Sequence, residues 1–297
     1  MNKRTLAIFA ALGATTIYAL NHTIAKGVMP THIQPYALVM LRVIGACALF
    51  WIASFLGPKE KIEKKDYRRL LICALLGMGL NMLSFFKGLS LTTPINSSVI
   101  VTLTPIFVLI LSAIIIKEKI TSRKIIGILV GFTGAVSLLL FGQEITSDAP
   151  NIVLGNFYVL MNSFLYGTYL VLAKILIQKY HPFTFMKWLF LLGIIVCLPF
   201  GYHEMTQVDW MHLPFDAIWR IGFVILGTTF CTYLFNIFAL TQLKASTLST
   251  FVYVQPLIAI IFAVATGQDS LTTVKIVAAC LVLLGVYLAS RKPKVQS

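Results

Sequence analysis

Charged residues are scarce in this sequence. Only 11% of the 297 residues are Asp, Glu, Lys or Arg, 58% are hydrophobic, and the mean hydropathy is +0.89. A soluble domain carries about 25% charged residues, so these values exclude an ordinary water-soluble fold. The chain consists largely of apolar runs of about 17–25 residues, long enough to cross a bilayer as helices. Because the runs lack the short alternating pattern of barrel strands, an all-α polytopic membrane protein is predicted.

Motifs of enzymes and of nucleotide-driven pumps are also missing. The sequence has no Walker A motif, no HExxH or GxSxG motif, and no paired acids at helical spacing within an apolar run. These absences argue against an ATP-driven pump and an intramembrane enzyme, so no catalytic residue is expected. All five cysteines fall within apolar runs and suggest neither a disulfide framework nor a metal site. No cofactor is therefore expected.

Acidic residues are the rarest charged group, with ten against 24 Lys and Arg. They fall in loops or at the ends of apolar runs, so no carboxylate is expected near the middle of the membrane. Nineteen of the 24 basic residues fall at the two termini and in alternate loops, and five fall on the other side. This is the positive-inside pattern rather than a nucleic-acid surface, and it predicts that both termini are cytoplasmic.

The chain contains one stretch twice. Residues 84–140 recur 151 positions later without a gap. Leu89 aligns with Leu240 and Ser98 with Ser249, but the more informative matches are Pro105 with Pro256, Glu118 with Asp269, and Gly134 with Gly285. A shift of 148 similarly aligns the starts of the two halves, including Tyr18 with Tyr166 and Lys26 with Lys174. We interpret this pattern as an internal duplication.

Ten membrane spans are predicted, five in each half. They cover about 5–20, 35–56, 70–89, 95–116, 124–141, 152–172, 183–200, 217–240, 245–266 and 274–290. Pro35 and Pro182 are expected to open the second span of each half. The predicted organisation is a first repeat at 1–142, a linker at 143–151, and a second repeat at 152–297 with a basic cytoplasmic tail. Because five is odd, the two repeats are inverted relative to each other, which is a signature of secondary transporters.

The duplicated motifs resemble a known family. Two five-span halves carrying Pro105, Glu118, Gly127 and Gly134, then Pro256, Asp269 and Gly285, are similar to the EamA family of the drug/metabolite transporter superfamily. The half-start Tyr18, Lys26, Pro35 and Arg42 is similar as well, whereas Lys117 stands where that family often has Gly. The resemblance implies a ten-helix transporter that exports or exchanges amino acids, related metabolites or drugs across the bacterial inner membrane.

Substrate-binding candidates are polar residues in spans that line a central cavity in this family. They are Arg42, Asn81, Lys87, Tyr166, Asn236 and Gln255. A charge inside a span should face a partner or a cavity, although Lys87 is near enough to a span end to reach the interface instead. If Arg42 and Lys87 both face the cavity, substrates with a carboxylate are favoured over quaternary cations. His22 is expected to be an interfacial polar residue, with a titrating role as the alternative.

Two prolines lie about ten residues into their spans and are candidate kink or gating positions. Pro105 and Pro256 each follow a polar residue, and simple bending for packing is the alternative interpretation. The glycines Gly127 and Gly134 are expected to provide a small face for close helix packing.

Other functions remain open from sequence alone. A channel, a membrane scaffold, an importer and a sugar or nucleotide-sugar exchanger of the same superfamily are the alternatives. Saturable counterflow would exclude a channel. The expected partners are a small-molecule substrate and the lipid bilayer, without nucleic acid, and a homodimer is left open.

Overall fold

The computed structural model describes residues 2–141, 150–265 and 273–290, and every regular element in these ranges is a helix. The predicted all-α class is therefore confirmed. The helices are α1 Lys3–Lys26, α2 Pro35–Ala53, α3 Tyr67–Ala74, α4 Leu80–Leu91, α5 Pro94–Val101, α6 Thr104–Ile115, α7 Ser122–Phe141, α8 Ile152–Ile177, α9 Pro182–Thr206, α10 Phe215–Phe223, α11 Thr232–Gln242, α12 Ala245–Leu248, α13 Val254–Ala265 and α14 Thr273–Ser290. Most of the predicted 143–151 linker, Asp269 and the basic tail lie outside the described residues.

Within the described residues, six helical stretches are long and apolar enough to cross a membrane. They are Lys3–Lys26, Pro35–Leu56, Lys64–Leu91, Ile152–Ile177, Pro182–Thr206 and Phe215–Gln242. Large apolar side chains cover their outer surfaces, including Phe9 and Ile52, which are 57% and 64% exposed. Such an apolar exterior suits contact with lipid. The chain is thus a multi-pass membrane protein.

Prolines start two of the long helices. Pro35 is the first residue of α2 and Pro182 is the first residue of α9. Proline is well suited to the first helical turn because its missing N–H has no partner there in any case. Both positions agree with the sequence-based prediction.

Two long stretches contain a π-helical segment at matching places. Leu75–Gly79 joins α3 to α4, and Val224–Cys231 joins α10 to α11. A π segment shifts the helical register and leaves local polar groups available for other contacts. Thr228 of the second segment lines the cavity described below.

The predicted fourth and ninth spans are each divided. α5 ends before residues 102–103 and α6 begins next to Pro105, while a 3₁₀ segment, Ser249–Tyr253, lies between α12 and α13 just before Pro256. Proline lacks the N–H that would continue the helix and crowds the preceding turn. Before Pro105 the backbone tightens accordingly, with Thr102 N donating to Val99 O at 3.1 Å.

The most extensive helix contacts join elements from different halves of the sequence. They are α7 with α14, α2 with α9, α4 with α8, and α1 with α11. In the first pair, a Cβ added at Gly127 would lie 2.7 Å from Ala289 N, and one at Gly134 would lie 2.8 Å from Ala278 O. The small-residue face of α7 therefore packs directly on the backbone of α14.

Candidate functional site

A cavity lined by both polar and apolar side chains lies between the helices of the bundle. It contains about 810 Å³ of space free of protein atoms. Helices from both halves of the sequence surround it. The lining residues are Thr15, Tyr18, Asn21, His22, Arg42, Asn81, Met82, Phe85, Phe86, Val101, Thr104, Asn162, Tyr166, Leu170, Thr228, Tyr233, Asn236, Leu248, Ser249, Val252 and Gln255.

Five of the six predicted binding residues meet in this cavity. Arg42, Asn81, Tyr166, Asn236 and Gln255 all line it, although they come from five separate helices. The segment breaks before the two prolines also border it, since Thr104 and Gln255 are lining residues.

Lys87 does not join the other predicted residues. Its Nζ lies 5.8 Å from the centroid of the Tyr36 ring, near the start of α2. The cavity side of α4 is formed instead by Asn81, Phe85 and Phe86. Each residue turns about 100° around a helix axis, so the position after Phe86 faces away from this side.

Arg42 is held on one wall of the cavity. It is 4% exposed, its Nε donates to Thr229 Oγ1 at 2.7 Å, and its guanidinium carbon lies 4.5 Å from the Phe86 ring centroid. Thr229 belongs to the second π segment and donates its own hydroxyl proton to Val224 O at 2.7 Å. The π segment thus positions the threonine oxygen that accepts from Arg42.

Tyrosine hydroxyls and an amide form the middle of the lining. Asn236 Nδ2 donates to the Tyr166 hydroxyl at 3.1 Å. The Tyr18 side chain lies close to Thr232, Tyr166 and Asn236. Tyr18 and Tyr166 occupy matching positions of the two repeats. The duplication therefore places one hydroxyl from each half at the same site.

His22 is buried in the lining, which corrects the expectation of an interfacial residue. Its Nδ1 lies 3.4 Å from Ser97 Oγ, its ring packs edge-on against Phe85, and its side chain lies close to Gln255. The first helix continues through Lys26, beyond the predicted end of span one at residue 20. That extra length places His22 within the bundle.

Two asparagines join α4 to α8. Asn81 Nδ2 donates to Asn162 O, and Asn162 Nδ2 donates to Asn81 O, both at 3.2 Å. Each amide satisfies the other helix's backbone, as polar residues between membrane helices commonly do. Both residues also line the cavity.

Sequence reasoning did not select Thr15, Thr228 or Tyr233 as site residues. The sequence does contain a pattern that points to Thr15. Thr15, Tyr18 and His22 are spaced by three and four positions and therefore share one face of α1. Tyr233 likewise precedes Asn236 by three positions in α11. A polar stripe inside an otherwise apolar helix is the feature that would have identified them.

A buried ionic cluster lies beyond one end of the cavity. Glu118 Oε1 pairs with Lys124 Nζ at 2.7 Å, and their side chains are only 5% and 9% exposed. Ser246, at the start of α12, accepts from Lys124 Nζ at 2.6 Å and donates to Glu118. We call Glu118, Lys124 and Ser246 the inter-repeat cluster, because it ties the α6–α7 tip to the second half of the chain.

The tip itself has an unusual backbone. Lys117 has a φ of 50°, which is the left-handed region that favours glycine. This conformation explains why the resembling family often has Gly at the position.

Further ion pairs connect the two halves of the chain through the half-buried Lys179. Lys179 Nζ lies 2.7 Å from Glu63 and 2.5 Å from Asp66, and Tyr180 donates to Asp66. Hydrogen bonds from Lys179 and Lys65 hold the pKa of the Glu63 carboxyl below its usual range. The loop after α8 is thereby anchored on the loop before α3.

A helical bundle with membrane-length apolar helices and a cavity with polar lining residues between its halves is typical of one class of protein, the membrane transporters. The sequence profile of the EamA-like transporter family matches residues 5–140 and again residues 153–291. The chain belongs to this family.

Curated relatives carry the same description. The chain is 28% identical over 260 residues to an uncharacterized transporter of Archaeoglobus fulgidus, covering 88% of this chain and 90% of that one. It is 22% identical to the uncharacterized transporter YetK of Bacillus subtilis, covering 98% and 89%. A WAT1-related protein of Arabidopsis thaliana is 24% identical, covering 69% and 59%. A solved crystal structure, 18% identical, shares the fold with a TM-score of 0.75 over 97% of this chain and 96% of its own.

Proposed function

We propose that this protein is a secondary transporter of small organic metabolites in the bacterial inner membrane, working as an exporter or exchanger by alternating access. The central cavity is the observation that carries the proposal. It is enclosed by helices of both halves and lined by amides, hydroxyls, aromatic rings and one guanidinium. Transporters bind their substrates at such a central site between structural repeats.

The proposed architecture is ten membrane segments in two inverted repeats. The family profile matches the chain twice, which supports a duplication. The helix pairing supports a two-fold relation between the halves, because exchanging the two halves converts the α1–α11 pair into the α8–α4 pair. The same exchange of halves leaves the α2–α9 pair and the α7–α14 pair unchanged. Such a pairing is what an approximate two-fold axis between the halves would produce.

The hydrogen bonds of two lysines at matching positions, Lys26 and Lys174, also support a two-fold relation between the halves. Lys26 Nζ donates to Leu89 O at 2.8 Å and to Thr92 O at 3.2 Å. Lys174 Nζ donates to Leu240 O and to Leu243 O, the latter at 2.8 Å. The acceptors correspond after the shift of 151, so each half ties its first helix to the end of its third segment in the same way.

Both termini are proposed to be cytoplasmic. The distribution of Lys and Arg supports this orientation. The inter-repeat cluster would then lie at the cytoplasmic end of the cavity. In alternating access this cluster is a candidate inner gate, and the helix breaks before Pro105 and Pro256 are the candidate hinges.

The test is counterflow in liposomes containing the purified protein, with a panel of labelled amino acids, organic acids and amines. We expect saturable counterflow for at least one class. We also expect it to be independent of a pH gradient, because no Asp or Glu of the described residues lines the cavity. A steady, non-saturating conductance would instead indicate a channel and contradict the proposal.

A further inference from the structure

The cavity carries a net positive charge from one residue. Arg42 is the sole Lys, Arg, Asp or Glu among its described lining residues. A guanidinium stays protonated under all physiological conditions. Burying such a charge is expensive unless an anion or strong dipoles compensate it.

The compensation within the protein is partial. Among the described residues, the ion pairs do not include Arg42, and its one hydrogen bond uses Nε. The Phe86 ring adds a cation–π contact below the guanidinium. The two terminal amino groups are then the donors left for a ligand, and their planar fork matches the two oxygens of a carboxylate.

The position of Arg42 is also asymmetric. Its counterpart in the second repeat is Leu189, a buried apolar residue. The duplicated cavity therefore has a cationic wall on one side of the approximate two-fold axis only. An anionic group would be drawn to this wall, and the rest of the ligand would extend across the axis.

The remaining lining suits a neutral, partly aromatic body. Phe85, Tyr166 and Tyr233 offer ring surfaces, and Asn21 Oδ1 is buried without a hydrogen-bond partner among the described residues. That oxygen could accept from a ligand hydroxyl or amide. No lining carboxylate of the described part of the chain is present to compensate a ligand ammonium.

We propose that the cavity selects organic monocarboxylates with an aromatic or apolar body and no ammonium group, in preference to zwitterionic amino acids and organic cations. This inference rests on the proposed transport function and specifies its substrate class. Arg42 is the residue that determines the charge preference, through direct contact with the carboxylate.

Three molecules that share a phenyl ring and differ in charge provide the test. They are 3-phenylpropanoate, phenylalanine and phenethylamine. We would measure their binding to the purified wild-type protein by thermal stabilisation and by calorimetry. We expect 3-phenylpropanoate to bind at least about tenfold more tightly than the other two. Equal or tighter binding of phenylalanine or phenethylamine, or no binding of any of the three, would overturn the inference.

Variants then assign the preference to one side chain. Arg42→Gln should abolish the charge preference, whereas Arg42→Lys should weaken it but keep its sign. Arg123→Gln is the matched control, because Arg123 is an exposed residue of α7 outside the cavity. A preserved preference in Arg42→Gln would contradict the role of this residue. If Arg42→Gln does not fold, the wild-type ranking and Arg42→Lys still decide the matter.

The counterflow panel separates this inference from the proposed function. Counterflow of amino acids or amines with no response to 3-phenylpropanoate would overturn the substrate class and leave the transporter proposal intact. Absence of counterflow for every class, combined with tight binding of 3-phenylpropanoate, would contradict transport and support the binding preference.

Discussion

Individual polar residues in this protein act through partners that are distant in sequence. Tyr166 and Asn236 are 70 positions apart, yet their side chains hydrogen-bond in the cavity. Their residue types suggested that both take part in substrate binding, since polar side chains inside membrane helices are costly and usually have a function. The hydrogen bond between them could not be predicted from the sequence, because it depends on how α8 and α11 are rotated against each other.

Replacing Tyr166 with Phe tests this contact. The change leaves Asn236 Nδ2 without its hydroxyl partner, which costs on the order of 1 kcal/mol. We expect the half-saturation concentration in counterflow to rise by about fivefold. Tyr202→Phe is the control, because Tyr202 is 65% exposed on the outside of α9. Equal effects of the two changes would contradict a role of the cavity hydroxyl.

Replacing Lys117, in the tip between α6 and α7, with glycine is expected not to lower the stability of the protein. Its φ of 50° is strained for a residue with a side chain, and glycine adopts this conformation freely. Lys117→Gly should therefore leave the thermal unfolding temperature unchanged or raise it. Lys119→Gly, two residues away, should lower it because glycine adds unfolded-state entropy without relieving strain. A fall for Lys117→Gly as large as that for Lys119→Gly would refute the strain argument.

At the scale of helices, packing depends on where small residues meet a neighbouring backbone. Gly127 and Gly134 were expected to form a packing face from their spacing alone, and both lie against α14. Which helix they would contact was not predictable, since several spans carry small residues. The helix breaks near Pro105 and Pro256 follow from proline chemistry. The π segments have no comparable sequence signal.

Two glycines allow a paired test of helix packing. A Cβ at Gly134 would lie 2.8 Å from both Ala278 O and Val282 N, whereas one at Gly222 would meet nothing within 4 Å. Gly134→Ala should destabilise the protein by about 1–3 kcal/mol through overpacking. Gly222→Ala should be neutral or stabilise it by up to about 1 kcal/mol, because alanine is the better helix former. Thermal unfolding in detergent measures both, and the same sign for both would contradict the structure.

The matching lysines give a second prediction at this scale. Lys26→Met and Lys174→Met each remove an ammonium that caps backbone carbonyls at the end of α4 or α11. Hydrogen bonds to charged groups contribute about 1.5–3 kcal/mol. Because the two sites correspond, we expect similar losses of thermal stability. A large loss for only one of them would show that the two anchors are not equivalent.

For the whole molecule, the important contacts are those between the two halves. Glu118 and Ser246 are 128 residues apart and belong to different repeats, but their side chains meet in the inter-repeat cluster. The sequence had marked Glu118 only as a repeat motif. Its counterpart Asp269 lies outside the described residues.

Breaking the inter-repeat cluster should open one end of the cavity. Glu118→Gln removes the charge that compensates buried Lys124, and an uncompensated buried charge is strongly destabilising. We expect a membrane-impermeant maleimide to label Ser249→Cys faster in the Glu118→Gln variant, in a background without the native cysteines. Ser249 is suitable because it lines the cavity and is 1% exposed.

Glu63→Gln is the control for this experiment. Glu63 also pairs with a lysine of the other half, but its side chain is 49% exposed. Exposed ion pairs contribute little, so labelling should not change. Faster labelling in the control, or none in Glu118→Gln, would show that the buried cluster does not close this end.

The order of residues is enough to establish a helical, multi-pass membrane protein of the EamA-like transporter family. Long apolar runs must become helices in lipid, and a duplicated set of Pro, acidic and Gly positions survives in the linear order of residues. Which polar side chains share the cavity depends instead on how the helices pack against one another. Helices that are apolar nearly all round give no sequence signal for their rotation, so Arg42 facing inward and Lys87 facing away could be resolved only by packing.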